Sequence, residues 1–165
     1  LTAVQHLHGD LAQVTCLVCG ASEPRTQLQT RLAKLNAHLE LDGEIKPDGD
    51  AEISPEIIQH FKIAHCLLCS GTLKPNVVFF GGQVDPALVQ SIYRSIEQAD
   101  ALWVIGSSLK LFSGYRFCRH AVACGKPIVL LNPGWTRADP IAALKIVQPA
   151  EIILPKVLSR LTNFS

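Results

Sequence analysis

Four cysteines in two matched spacings, Cys16-Leu-Val-Cys19 and Cys66-Leu-Leu-Cys69, are the residues of this chain best suited to chemistry. A C-x-x-C turn brings two thiolates to one point, and two such turns supply the corners of a tetrahedron with Zn–S near ~2.3 Å. Each hook is trailed by a glycine, Gly20 and Gly71, as a tight knuckle requires. With a thiolate at every corner no position is left for water, so the expected ion is a structural zinc, one per chain. A redox pair or a disulfide framework is the alternative; two matched hooks in a chain with no mark of export favour metal. The remaining cysteines, Cys118 and Cys124, fall in a helix of mixed polarity and read as packing residues without a metal role.

A second set of residues could handle a proton and a nucleotide. His6-Leu-His8-Gly9 precedes the first hook. An imidazole titrates near ~6.5 and can act as a base at neutral pH. His8, standing before glycine, is the candidate, His6 competes with it, and spacing alone does not choose between them. Further on, Gly106-Ser107-Ser108 directly follows the apolar run Ala101–Ile105, and Asn132-Pro133-Gly134 follows Ile128–Leu131. Small residues at a strand end let a ligand approach the backbone, and hydroxyls can donate to phosphate or ribose oxygens. Two such loops at neighbouring strand ends define one crevice.

The elements that must position these groups can be read from periodicity. The chain has 165 residues, 48% hydrophobic and 18% charged, which suits a packed core and excludes a disordered tail. A formal net charge of +1, with no basic run longer than two residues, gives no reason to expect a nucleic acid or an anionic membrane as partner. The longest apolar runs are strand length, far short of the roughly 20 residues of a spanning helix. Leu1-Thr-Ala-Val-Gln-His6 has neither the charged region nor the long apolar region of a signal peptide.

Composition divides the chain near Lys74-Pro75 into a cysteine-bearing module, 1–73, and an alternating segment, 74–165. In the first, Glu23 to Leu41 reads as one helix with Pro24 in its first turn, ended by Asp42-Gly43 and Lys46-Pro-Asp-Gly-Asp50. Ser54-Pro55 opens a shorter helix, with Ser54 as its cap. In the second, Val77–Phe80, Ala101–Ile105, Ile128–Leu131 and Ile152–Leu154 read as strands. Helices are expected from Asp85 to about Ala99, from Ser113 to Cys124 with a stop at Gly125, and over Val157–Leu161. Apolar strands alternating with helices indicate an α/β fold with a parallel sheet covered on both faces, and ligands beyond its carboxyl ends.

Taken in order, His8-Gly9, C-x-x-C-G, C-x-x-C-x-G, Leu73-Lys-Pro-Asn-Val-Val-Phe-Phe-Gly81, Gly106-Ser-Ser-Leu109 and Leu131-Asn-Pro-Gly134 resemble the sirtuin family over essentially the whole chain. Pro47-Asp-Gly-Asp50 and Ser113-Gly-Tyr-Arg-Phe117 resemble its class II branch, which has bacterial and mitochondrial members. The resemblance implies a partial Rossmann-like parallel sheet with a small four-cysteine zinc-binding module. It also implies NAD-dependent removal of acyl groups from lysine, with the acyl group passing to ADP-ribose and nicotinamide released. ADP-ribosyl transfer uses the same bond and is the alternative. His8 matches the family base, which activates the ribose hydroxyls. Cys16, Cys19, Cys66 and Cys69 match the zinc ligands. Gly106, Ser107 and Ser108, with Asn132, Pro133 and Gly134, match the NAD loops, and Ala150 a residue that touches adenine. Val77, Val78, Phe79 and Phe80 match the wall that holds an acyl-lysine peptide, which adds as a strand between that segment and the one near Gly106. A bacterial source would make the protein cytoplasmic, a mitochondrial one a matrix protein.

The sequence departs from the family in two places. The family's Gly-Ala-Gly phosphate loop and its Gln-Asn-x-Asp segment precede the base, and here seven residues precede His8. A C-terminal piece of a longer enzyme, or a truncated non-catalytic remnant, is therefore expected, with an apolar sheet edge left bare. The acidic residue common after Phe-Gly is here Gly82.

Overall fold

The computed structural model describes residues 4–39 and 53–162. The end of the helix expected to reach Leu41, the turns at Asp42-Gly43 and Lys46–Asp50, and the class II segment Pro47–Asp50 lie outside the described residues. The chain forms two compact units, Leu1–Gly82 and Gln83–Ser165. Among the described residues no helix is long and apolar enough to cross a membrane.

The first unit is built on a three-stranded antiparallel sheet in the order β2-β1-β3, with β1 over Gly9–Cys16, β2 over Ser22–Pro24 and β3 over Leu73–Val77. Neither β1 nor β2 was legible as a strand in the sequence. β1 pairs with β3 through Cys16 and Leu73, Thr15 and Lys74, and Val14 and Pro75, then slips, and resumes at Asp10 with Asn76 and Gly9 with Val77. The slip loops out Leu11–Gln13, steadied by the Asp10 carboxylate, which accepts from the Ala12 N–H at 2.8 Å. Pro75 is tolerated because β3 is an edge strand, where a missing donor costs little.

The expected helix from Glu23 begins later, as α1 over Arg25–Leu35. Pro24 is extended at φ −60°, ψ 135° and caps the helix, because Pro24 and Glu23 are held in register with Gln13 and Val14. The Glu23 carboxylate then receives both guanidinium nitrogens of Arg31 at 2.6 and 2.7 Å. Val14, Leu28 and Ala64, with Leu32 and Leu73 against them, are the core of this unit. At the end of α1, buried Asn36 closes three bonds: its amide donates to Leu32 O at 2.8 Å and Lys62 O at 2.9 Å, and its oxygen accepts from Lys62 N at 2.7 Å. The short helix α2, Pro55–His60, forms as expected, with the Ser54 hydroxyl oxygen accepting from Ile57 N.

In the second unit three parallel strands, β4 (Leu102–Ile105), β5 (Ile128–Leu131) and β6 (Leu144–Ile146), lie in the order β4-β5-β6. Helix α3 (Pro86–Gln98), capped by Asp85 as expected, packs on α4 (Phe112–Ala123). Gly125 at φ 68° ends α4 in the left-handed conformation that glycine tolerates. Central β5 is the core: Ile128, Leu130 and Leu131 are buried. Edge strand β4 leaves Trp103 and Ile105 exposed, so the cover expected on both faces holds for β5 and not for β4.

Two expected strands are also corrected. Val77–Phe80 is not a buried strand of the parallel sheet. Only Val77 is in a strand, the antiparallel β3, and Phe79 and Phe80 are exposed. Ile152–Leu154 is not a strand but part of helix α5, Ala150–Thr162, which absorbs the expected Val157–Leu161 helix as well. Pro155, in the second turn, removes a single bond, to Glu151, which a 13-residue helix tolerates. The strand that completes the sheet is β6, whose three residues include Lys145 and form no apolar run.

Replacing Asn36 with alanine leaves the Lys62 N–H and the Lys62 carbonyl without their partner, while the Leu32 carbonyl keeps its bond from the backbone N–H of residue 36. A loss of about 2 kcal/mol is expected, read as a lower urea midpoint for Asn36→Ala at unchanged slope.

Candidate functional site

The two hooks converge. Cys16 Sγ lies 3.5 Å from Cys69 Sγ, Cys19 Sγ lies 3.7 Å from Cys66 Sγ, and all four sulfurs fall within 4.8 Å of one another. A tetrahedral ion with Zn–S of ~2.3 Å sets its sulfurs about 3.8 Å apart, so the cage has the size of a zinc site before any ion is considered. The knuckles repeat each other bond for bond. Cys16 N donates to Ala21 O as Cys66 N does to Gly71 O, and Gly20 N donates to Cys16 O as Ser70 N does to Cys66 O. Leu17 N donates to Thr72 O at 2.9 Å and ties one knuckle to the other.

The trailing glycines do different work. Gly20 adopts φ 73° and is the turn residue of the first knuckle; in the second that place is taken by Ser70 at φ 58°. Gly71 is required instead by space, since a Cβ there would meet Val18 Cγ2 at 2.8 Å and Cys16 Sγ at 2.9 Å.

The charges in the cage call for a cation. Backbone N–H groups of Cys19 and Val18 hold the Cys16 thiol down at about 6. The Gly71 N–H acts the same way on Cys69, yet the Cys19 and Cys16 thiols beside Cys69 push it up to about 12. One sulfur ionises readily while its neighbour keeps a proton and donates to it, so the four do not all ionise together. A divalent ion at the centre removes that conflict, and the thiolate donor set suits zinc.

The same ribbon that ends in Cys16 begins at the candidate base. His8 is exposed, and its carbonyl accepts from Val78 N at 2.8 Å. Gly9, at φ 89°, lies so close to β3 that a Cβ would stand 2.0 Å from Asn76 O. His8 is thereby placed beside Val77 and Val78, with Phe79 and Phe80 next along the chain. His6, also exposed, accepts from Gly9 N through its carbonyl at 3.0 Å.

In the second unit the expected loops meet at the carboxyl ends of β4 and β5. Gly106 adopts φ 64°, and its N–H donates to Leu131 O at 2.9 Å. The Ser107 hydroxyl oxygen accepts from Leu109 N at 3.2 Å, which leaves its own proton to donate, and Ser108 is exposed. Arg137 N donates to Ser108 O at 3.0 Å and joins the two loops. Asn132 turns its amide onto Gly134 O at 3.0 Å, and exposed Pro133 stands between them. Ala150 opens α5 a few residues after β6. Gly106, Ser107, Ser108, Asn132, Pro133, Gly134 and Ala150 are thus gathered behind three adjacent strands.

Three residues outside the sequence expectations hold the second loop. Buried Thr136 donates its hydroxyl to Asp139 Oδ1 at 2.6 Å, and its N–H reaches the same oxygen at 3.1 Å. Lys145 pairs with Asp139 Oδ2 and donates to Gly134 O at 3.0 Å. The spacing Thr136-x-x-Asp139 is a turn signal that could have found two of them; Lys145 depends on a strand that was not foreseen. Cys118 is buried as expected, but Cys124 is exposed beside Glu97 and His120 and is not a packing residue.

The chain belongs to the Sir2 family, whose sequence profile matches residues 1–113. It is 41% identical over 159 residues to an NAD-dependent protein deacetylase 1 of Streptomyces coelicolor, covering 96% of this chain and 53% of that protein. It is 42% identical to the mitochondrial NAD-dependent protein lipoamidase sirtuin-4 of Bos taurus, covering 92% of this chain and 48% of that one. The chain therefore spans about half the length of these relatives. Its fold matches a solved Sir2Tm structure bound to a propionylated peptide, with a TM-score of 0.70, 21% identity, and 93% of this chain and 54% of that one covered. A Sir2–p53 peptide–NAD+ structure matches with a TM-score of 0.68 at 20% identity, covering 96% and 55%.

Gly71→Ala is expected to weaken zinc binding at least tenfold, because Cys16 Sγ must move, while Ser70→Gly holds zinc as well as the parent; competition against a chromophoric chelator reads both. Asp139 titrates below the ordinary carboxylate range because of Lys145 first and Thr136 second. A depressed folded pKa contributes stability above the unfolded value near ~3.9 that is lost as pH falls through the folded value. Asp139→Asn should therefore be less stable than the parent at pH 7, with the gap closing in acid, as thermal melts across pH will show.

Proposed function

We propose that this chain is the part of an NAD-dependent protein-lysine deacylase that carries the structural zinc module, the catalytic base and the loops for one side of NAD. The observation that carries the proposal is the closure of Gly9 onto Asn76, which fixes His8 against the start of the Val77–Phe80 wall. The names of the relatives support the same activity.

In this proposal Gly106, Ser107, Ser108, Asn132, Pro133, Gly134 and Ala150 hold NAD. Their fit rests on a left-handed glycine with open space around it, a serine hydroxyl left to donate, and exposed strand-end backbone. Bound NAD supplies the ribose carbon that takes the acyl oxygen and the nicotinamide that leaves. The His8 imidazole takes the proton of a ribose hydroxyl at a ring nitrogen and so raises the nucleophilicity of that oxygen. The substrate peptide lies along β3, whose outer edge pairs with no strand among the described residues, and adds to it by main-chain hydrogen bonds. Phe79 and Phe80 offer apolar surface to the stem of the acyl-lysine. The thiolate cage holds its zinc away from the chemistry and takes no part in it.

The relatives are named for two acyl groups at nearly equal identity, 41% for a deacetylase and 42% for a lipoamidase. The test therefore uses acetyl-lysine and lipoyl-lysine peptides with the full-length product of the gene that encodes this chain. Deacylated peptide and nicotinamide are expected in equal amounts by mass spectrometry, with saturable NAD binding by calorimetry. His8→Ala should lower kcat at least ~100-fold with zinc content and melting temperature unchanged, and His6→Ala should stay within about twofold of the parent. Failure of the full-length protein to bind NAD would sink the proposal, and the reverse order of the two variants would overturn the choice of base.

A further inference from the structure

The α3–α4 pair carries a second cluster of metal-type ligands that the proposed reaction does not use. Near the end of α3 the Glu97 carboxylate oxygen lies 3.0 Å from His120 Nε2, and Cys124 Sγ lies 3.6 Å from the same nitrogen. The three donor atoms fall within 4.8 Å of one another. His120 and Cys124 are four residues apart, so α4 presents them on one face.

The cluster is built rather than loose. The His120 ring stacks on Tyr93 at 4.2 Å between centroids and 24° between planes, and Tyr93 in turn meets the edge of Phe117 at 5.6 Å. That stack orients the plane of the imidazole. Cys124 is the C-cap of α4, its N–H shared between His120 O and Ala121 O. Left-handed Gly125 and the bond from Lys126 N to Ala121 O, 2.8 Å, lock the helix end that holds it. The carbonyl end of a helix favours a positive charge beside it. One nitrogen, one carboxylate oxygen and one thiolate are a donor set for ions of the zinc class. In a tetrahedral site with bonds of ~2.0–2.3 Å such donors stand about 3.3–3.6 Å apart. The observed 3.0 and 3.6 Å to His120 Nε2 lie within a few tenths of an ångström of those values, and the Glu97 oxygen and Cys124 sulfur are no more than 4.8 Å apart.

We propose that Glu97, His120 and Cys124 form a second metal site, separate from the four-cysteine cage, which takes a zinc-class divalent ion and leaves one coordination position to water. Binding displaces the Cys124 thiol proton to solvent and replaces the Glu97–His120 hydrogen bond with two bonds to the ion. Half-exposed side chains and an open position make the site an exchangeable one, in contrast to the closed cage.

The test uses the full-length product of the gene that encodes this chain, with the cage filled by zinc, titrated with Co2+ under anaerobic reducing conditions. Equilibrium dialysis with elemental analysis should find two ions per chain, zinc in the cage and cobalt in the second site, with a thiolate-to-cobalt charge-transfer band growing as cobalt binds. His120→Ala should keep the first ion and lose the second. Cys124→Ser should lose the charge-transfer band and bind cobalt at least tenfold more weakly, and Glu97→Gln should weaken it about tenfold. If His120→Ala loses helix content, because its ring also packs on Tyr93, the exposed Glu97→Gln and Cys124→Ser variants decide the outcome. A parent chain that stops at one ion, a second ion that survives in a folded His120→Ala chain, or a charge-transfer band that survives Cys124→Ser would overturn the proposal.

Discussion

Four sulfurs confined within 4.8 Å of one another are the constraint on which the first unit depends. Its hydrophobic core consists of Val14, Leu28 and Ala64 with Leu32 and Leu73 against them, which is little apolar surface to order so many residues. Small modules of this kind usually need a covalent or metal staple. Here the staple joins segments some fifty positions apart in sequence, at Cys16 and Cys69. Without a cation the four sulfurs cannot all ionise, and a proton shared by hydrogen bonds holds Cys16 low and Cys69 high. With one, all four become ligands, and the free energy of binding the ion is also free energy of folding.

The legible parts of the sequence were those in which local chemistry and tertiary demand agree. Asp85-Pro86 and Gly125 bound α3 and α4 by capping rules that no neighbour overrides, and the apolar runs of β4 and β5 are long enough to stand alone. The matched C-x-x-C pairs brought their sulfurs together because two residues between cysteines leave the hook few other conformations. Tertiary pairing hid the rest. Glu23 and Pro24 look like a helix start until β1 claims them as a strand. Ile152–Leu154 look like a strand because three apolar residues stand in a row, yet they lie in α5, where successive side chains point to different faces and only Ile153 is partly buried. β6 is invisible because a three-residue strand takes its identity from β5 beside it. Gly71 carried the right residue for the wrong reason: the left-handed turn falls on Ser70, and Gly71 clears a path for Cys16 Sγ.

In the second unit the loops are ordered from behind. Asn132 and Lys145 both donate to Gly134 O, and Asp139 collects Thr136 and Lys145. These residues use their polar atoms to hold the backbone, which leaves strand-end groups facing solvent without having to order themselves when a ligand arrives. Preorganisation of this kind lowers the entropy that binding must overcome. It also explains why a lysine interrupts β6: its stem lies in the sheet while its ammonium reaches the turn above.

The strand β1 connects the sulfur cage to the proposed base. It starts at Gly9, beside His8, and ends at Cys16 in the cage, and β3 runs the other way from Leu73, just past the second knuckle, to Val77. At ~3.3 Å per residue an eight-residue strand would reach about 25 Å, shortened here by the looped Leu11–Gln13 segment. One end of this ribbon is clamped by sulfur and metal, and the other by Gly9 pressed on Asn76 with His8 O bonded to Val78 N. The cage at one end of the ribbon therefore bears on the placement of His8 at the other by ordering the two strands between them. A one-residue slip between β1 and β3 would turn every side chain to the opposite face and carry His8 away from Val78. Cys16 opposite Leu73 at the cage and Gly9 pressed on Asn76 at the other end hold the register on either side of the looped segment.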